Sequence, residues 1–361
     1  ACSTGNTLME NHYDSAPASG EPAGLPGFDP EFTDIVDYIL RITYRIWEGK
    51  QVGLCYDYYS EDCPVYTLAG YTQGAEEVTQ NTMRTLAGFP DRTLHADNIV
   101  WGGDAETGYH SSHLICTNMT NLGPSEFGDA TGAQAQIQVI AHCVCKDNKI
   151  IEEWLVRDNY SLAIQLGADP LEYAREQAAR PLDPSGTFAQ WLKSEHERVS
   201  MQAREKITYP PVAEDNEKYI SAALGNIWNA RMLGDCRLLY TENARLHASA
   251  RDDYDGVERI SQFYMEMLGS MPDAKISVDY SCSNSMLAGE YVAVRWVIAG
   301  THSGGALWGA PTGAPLLILG ESQYRIVDGK VVEEWLVFDE LAVLTQIERA
   351  RLAIEQATTG E

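Results

Sequence analysis

Ile150-Ile151-Glu152-Glu153-Trp154-Leu155-Val156-Arg157-Asp158 reads as one β-strand, and the chain writes it again as Val331-Val332-Glu333-Glu334-Trp335-Leu336-Val337-Phe338-Asp339. Both stretches are rich in β-formers and alternate in character along the chain. On that alternation Glu152, Trp154, Val156 and Asp158 share one face, while Ile151, Glu153, Leu155 and Arg157 share the other. A carboxylate two pleats beyond an indole on a half-buried strand is costly unless it is paired or used. Asp158 and its counterpart Asp339 therefore stand out first.

Trp154 and Trp335 are 181 positions apart, and so are Asp158 and Asp339. A spacing of 181 to 182 also ties Ile46-Trp47 to Ile227-Trp228, Cys55 to Cys236 and Tyr59 to Tyr240. It continues from Phe89-Pro90-Asp91 to Met271-Pro272-Asp273, from Tyr109 to Tyr291, and from Asp147-Asn148-Lys149 to Asp328-Gly329-Lys330. An offset that constant marks a duplication.

The 361 residues are enough for two domains, each with its own core. Residues 1–30, rich in Ser, Ala, Gly, Pro and Asn, read as a flexible arm. The first copy spans 31–167, a helical connector divided by Pro181 and Pro184 spans 168–212, the second copy spans 213–348, and 349–361 form a tail. Within the first copy an amphipathic helix opens at Pro30 and ends near Trp47. A short helical piece, a strand over 63–69 and a helix over 74–86 follow, then long strands over 92–101, 109–120, 133–145 and 150–158. This order predicts an α+β fold: two tandem cones, each a curved, mostly antiparallel sheet with helices on one face. Such a cone encloses an apolar cavity, a natural site for a small molecule.

The composition is that of a globular protein, 44% hydrophobic and 22% charged, with a formal net charge of −26. That charge argues against nucleic acid and anionic membranes as partners, since phosphate contacts need clustered Lys and Arg. No apolar run is long enough to span a bilayer. Cysteines at 2, 55, 63, 116, 143, 145, 236 and 282 form no Cys-x-x-Cys, which disfavours a zinc ribbon or a disulfide scaffold. They point to a reducing, cytoplasmic location, with Ala1-Cys2 leaving a lipidated or secreted form open. No Gly-rich phosphate loop and no short metal-ligand motif is present, so neither cofactor nor metal is expected.

The first copy carries the more polar set of candidates. His95 and Asp97 share one strand phase; His110 and His113 stand in Tyr-His-Ser-Ser-His; His142 precedes the Asp147 turn. His beside carboxylate is the usual material for proton transfer near neutral pH. Asp158, His113 and His142 are thus the catalytic candidates, with Asp339 their counterpart in the second copy. Trp154, Arg157, His95, Asp97, Trp101, His110, Tyr66 and Trp47 are expected to line the site. His110 and His113 have opposite strand parity, so at most one of them faces a given cavity. In the second copy Arg295 and Trp335 are the candidate lining residues, and Val292, Arg295, Gln323 and Phe338 are read in place of His110, His113, His142 and Arg157. That loss of polarity favours the first copy for chemistry.

Gly300-Thr-His-Ser-Gly304, Pro311-Thr-Gly313 and 328–339 in the second copy resemble the SnoaL-like polyketide cyclases of the NTF2-like superfamily. The first copy resembles them through Ala130-Thr-Gly132, through 148–158 and through Gln165-Leu-Gly167. The resemblance implies cone-shaped α+β barrels, often dimeric, and cofactor-free chemistry. It also implies that the Asp after the Trp of the last strand is the general acid/base of an intramolecular aldol closure, a role that falls on Asp158 and Asp339. The expected protein is a cyclase, isomerase or lyase acting on a small, largely apolar carbonyl compound. A binding protein without catalysis and a hydrolase of the epoxide-hydrolase type are the alternatives on this fold.

Overall fold

The computed structural model describes residues 24–360, so most of the expected N-terminal arm, including Cys2, lies outside the described residues. The chain divides into two compact units between Ala168 and Asp169. In the first, Asp34 caps α1 (Ile35–Thr43), its carboxylate accepting the Asp37 N–H at 2.7 Å. The helix thus starts five residues after Pro30, and Ile35, Ile39 and Ile42 form its buried stripe. A π-turn, Tyr44–Glu48, ends it and brings Trp47 round.

The short α2 (Cys55–Tyr58) precedes β1 (Pro64–Thr67) and β2 (Gly70–Gln73). The single strand expected over 63–69 is instead a tight hairpin. Thr67 Oγ1 accepts the Ala69 and Gly70 N–H groups at 3.1 and 3.0 Å and folds the chain back. Then come α3 (Gly74–Gly88), β3 (Thr93–Asp104), β4 (Gly108–Thr120), β5 (Gln134–Lys146), β6 (Lys149–Arg157) and α4 (Asn159–Gln165). The sheet order is β2-β1-β6-β5-β4-β3, antiparallel except where β1 runs parallel to β6. Asp147 and Asn148, at φ 48° and 69°, make the two-residue turn that joins β5 to β6.

The second unit begins with α5 (Pro170–Ala178) and α6 (Thr187–Ser200). Both pack within it: Arg175 reaches Glu348 at 3.3 Å, and Arg198 reaches Asp279 at 2.7 Å. α7 (Asn216–Trp228), α8 (Cys236–Leu239), β7 (Tyr240–Ala248), β8 (Tyr254–Asp255) and α9 (Val257–Ser270) repeat the first half of the fold. β9 (Lys275–Met286), β10 (Gly289–Thr301), β11 (Pro315–Val327) and β12 (Lys330–Phe338) complete a sheet of order β8-β7-β12-β11-β10-β9. α10 (Glu340–Thr359) closes the unit and occupies most of the expected tail. Both sheets are open, with distinct edge strands, so they are cones rather than closed barrels. Among the described residues no helix is long and apolar enough to cross a membrane.

One register detail bears on every comparison between the copies. The β3–β4 hairpin pairs Asp104 with Gly108, whereas the β9–β10 hairpin pairs Met286 with Gly289. The second turn is shorter by one residue, so the offset of 182 between β3 and β9 becomes 181 between β4 and β10. Tyr291 therefore stands where His110 does, and Val294, not Arg295, stands where His113 does. Arg295 occupies the position of Leu114.

Candidate functional site

In the first unit α1, α3 and the π-turn cover the concave face of the sheet and leave a cavity of about 820 Å³. Its wall is mostly apolar, with Ile39, Ile46, Val65, Leu94, Ile115 and Val139 among the lining residues. The strand register sorts its polar groups into rows across β4, β5 and β6. Ser111, Cys143 and Glu153 lie side by side; His113, Ala141 and Leu155 form the next row; Ile115, Val139 and Arg157 form the one after.

Glu153 is a carboxyl in an apolar wall. Burial pushes it up from the usual 4.5 to about 7, and the Cys143 thiol donates to its Oε1 at 3.4 Å. Tyr59 also lines the cavity, and its hydroxyl is held protonated by burial and by the field of Glu153. His113, in the adjacent row, is pushed down to about 3 by burial, so its imidazole is neutral at physiological pH. Its Nε2 has no hydrogen-bond partner among the described residues. Arg92 lies beyond the last row, 4% exposed, with its guanidinium 4.6 Å above the Trp47 ring and Nε donating to Thr117 Oγ1 at 3.0 Å. Burial and the nearby Arg157 both lower its affinity for a proton.

Of the residues expected to form the site, Trp47, His113 and Arg157 line this cavity. The others lie off it. His110 Nδ1 meets His142 Nε2 at 2.8 Å, the His142 ring lies 4.9 Å from Trp154, and Trp154 stacks on Tyr66 at 5.7 Å. That ladder runs along the opposite face of the sheet, because these residues share the strand phase that points away from the helices. His95 and Asp97 approach each other at 3.8 Å beside the bulge in β3, and Trp101 packs against Tyr109. Asp158 has left the strand altogether. It caps α4, accepting Ser161 N–H at 3.1 Å and Ser161 O–H at 2.6 Å. Asp339 does the same for α10, accepting Ala342 N–H at 3.1 Å. The repeated Asp is thus explained by a repeated helix start. Among the described residues, no three His, Cys, Asp or Glu side chains are gathered as a metal site, and His113 and His142 face opposite ways.

Glu153, Arg92 and Tyr59 were not singled out from the sequence. Alternation does place Glu153 with Leu155 and Arg157, and Tyr59 is one of the residues that repeat. What alternation cannot say is which face the helices cover.

In the second unit the equivalent space has closed to about 10 Å³. Tyr264 stands for Thr82, Phe263 for Asn81, Tyr324 for Cys143 and Trp296 for Ile115, and each fills part of it. Phe338 replaces Arg157. Glu334, the counterpart of Glu153, is pushed up to about 8 by burial and accepts from Tyr240, whose hydroxyl lies 2.7 Å from that of Tyr264. Arg295 pairs across to Glu321 on the opposite face of this sheet, and Trp335 stacks on His247 at 5.5 Å, so neither contributes to a cavity.

The SnoaL-like polyketide cyclase family model matches residues 38–166 and 219–347. Solved structures similar to the chain each correspond to a single copy. One is a proposed SnoaL-like polyketide cyclase from Jannaschia sp. CCS1, 18% identical, matched over 39% of this chain and 97% of its own, with a TM-score of 0.33. Another is IdmH, a proposed polyketide cyclase from Streptomyces antibioticus, 26% identical over 37% of this chain and 98% of its own, at 0.32. A third, with a ketosteroid isomerase-like fold and from Catenulispora acidiphila, is 14% identical over 39% and 94%, at 0.30. No curated protein matches the chain. With both matched segments together covering more than half its length, the chain belongs to the SnoaL-like polyketide cyclase family, as two tandem copies of the domain.

Proposed function

We propose that the first unit is a cofactor-independent acid–base catalyst of the cyclase, isomerase or lyase type, acting on a largely apolar carbonyl compound. The observation that carries this is the Glu153 carboxyl, raised to about 7 in the wall of an 820 Å³ apolar cavity. A base with that affinity takes a proton from carbon and returns it near neutral pH. Glu153 removes the proton next to the substrate carbonyl. His113, neutral and one row away, donates to the oxygen that becomes the enolate, with the Tyr59 hydroxyl as a second donor. Proton return to another carbon gives isomerisation, and attack of the enolate on a second carbonyl gives ring closure. Asp158 serves this scheme only by starting α4. The second unit, with its cavity filled, is structural.

The test is deuterium uptake at the α-carbon of a bicyclic ketone such as 2-tetralone in D2O, followed by NMR. The wild-type protein should catalyse saturable exchange whose rate rises with pH up to about 7, as Glu153 ionises. Glu153→Gln should lower it by roughly 10²–10⁴. Exchange that survives intact in Glu153→Gln removes Glu153 from the reaction, and a wild type that binds the ketone without exchange supports a binding protein instead.

A further inference from the structure

Within the sheet, Glu153 stands between Val65 of β1, with which it pairs in parallel, and Cys143 of β5, directly opposite it in the antiparallel ladder. Val65 offers no donor. The Cys143 thiol does, to Oε1 at 3.4 Å, and both side chains are buried in the cavity wall. Burial raises Glu153, and this hydrogen bond works against it by favouring the ionised form. The field of Glu153 also reaches Tyr59, Cys55, Cys63 and Cys145. Burial comes first in keeping each of these protonated, so all four are uncharged over the range in which Glu153 titrates. Cys143 is held protonated in the same way and remains a donor.

The second unit keeps the frame and changes the residues. Glu334 stands between Leu246 of β7 and Tyr324 of β11; Tyr324 helps to fill the space in front of it, and Tyr240 is its donor. A cysteine in the place of Tyr324 is small enough to leave the cavity open at the carboxyl, yet it still supplies a hydrogen bond. A thiol is also a weak donor, so it orients a carboxylate while lowering its basicity less than a hydroxyl does. On this geometry we infer that Cys143 is a positioning residue for Glu153: its S–H holds Oε1, leaves Oε2 for the substrate, and sets how firmly the carboxyl keeps its proton. The catalytic meaning of this bond rests on the proposed role of Glu153, while the bond and its effect on the carboxyl are independent of that role.

The experiment titrates the carboxyl directly, by carbon NMR of full-length protein isotopically labelled at the glutamate side-chain carboxyl carbons. The Glu153 resonance is the one missing from Glu153→Gln. Cys143→Ser and Cys143→Ala match each other in size, so comparing them separates the hydrogen bond from the change in volume. The Glu153 midpoint, about 7 in the wild type, should lie roughly one pH unit or more lower in Cys143→Ser than in Cys143→Ala, as expected for a hydrogen bond to a charged group. Glu334 should titrate at about 8 in both, which reports an intact second unit. If either variant fails to fold, Cys143→Thr and Cys143→Val, matched in shape, take their place. Equal midpoints overturn the inference, as does a lower midpoint in the variant without a donor. The pH profile of deuterium exchange then separates this bond from the catalytic reading. A profile that moves with the carboxyl supports both, whereas a shifted carboxyl with an unmoved profile keeps Cys143 as the partner of Glu153 and removes Glu153 from the reaction.

Discussion

Two carboxylates five residues apart show how little a residue's identity says until its surroundings are known. Asp158 follows the signature Trp, yet its oxygens are taken by the N–H and hydroxyl of Ser161, so it acts as a helix cap. Glu153, within β6, has a thiol for company and an apolar cavity in front of it, and its proton affinity rises accordingly. The two roles separate experimentally. Asp158→Asn keeps an acceptor at the cap and should leave deuterium exchange and stability close to wild type. Asp158→Ala should lower the urea midpoint by the equivalent of about 1 kcal/mol or more. Loss of exchange in a stably folded Asp158→Asn would return the catalytic role to Asp158. Strand alternation sorts Glu153 and Arg157 away from Trp154, but nothing within nine residues tells which face the helices will cover.

At the scale of elements, the second cone is closed by β10 and β11 acting together. Trp296 enters from β10 where Ile115 stands in the first unit, and its room comes from Gly320, opposite it on β11 where the first unit has Val139. A Cβ at Gly320 would lie 2.1 Å from the Trp296 ring, a contact that neither strand can relieve. Gly320→Ala should therefore destabilise the protein by about 1–3 kcal/mol, read as a fall in the urea midpoint. Pairing it with Trp296→Ile should recover part of that loss. A stable single variant would show that the ring is not held against β11. The same strands explain an off-by-one in the sequence comparison. Tyr291 looks like the repeat of Tyr109, but the shorter β9–β10 turn places it opposite the His110 position and moves Arg295 off the concave face. Counting residues cannot detect a one-residue turn change when tyrosines flank it.

At the scale of the molecule, the duplication has left one unit with an open cavity and one with a filled core, and both retain a buried Glu on the last strand. Each of those carboxyls stays protonated in the folded protein to a pH at which it would be ionised in the unfolded chain: about 7 for Glu153 and about 8 for Glu334, against 4.5. Above 4.5 the unfolded chain therefore binds fewer protons, and stability falls as pH rises. Each group adds a slope of up to about 1.4 kcal/mol per pH unit. The Glu153 contribution ends near pH 7 and the Glu334 contribution near pH 8, so stability should drop most steeply below 7 and level off above 8. Glu334→Gln should flatten the fall in urea midpoint between pH 5 and 8 while leaving deuterium exchange unchanged. An unaltered slope would mean that Glu334 is ionised in the folded state.

The fold was legible in the chain because it rests on local, repeated signals. Alternating β-formers marked the strands, helical spacing marked α1 and α3, and a constant offset revealed two copies of one domain. Trp47, His113 and Arg157 could be picked out because polar or aromatic residues at those positions are unusual in such elements. Their gathering with Glu153, Tyr59 and Arg92 could not, for a physical reason. Which face of a sheet becomes a cavity depends on where the helices pack, and whether that cavity stays open depends on side-chain volumes contributed by strands and helices far apart in sequence. Thr82 or Tyr264, Cys143 or Tyr324, Arg157 or Phe338: each choice is a single residue, and only their meeting in space decides that one cone is hollow and the other is full.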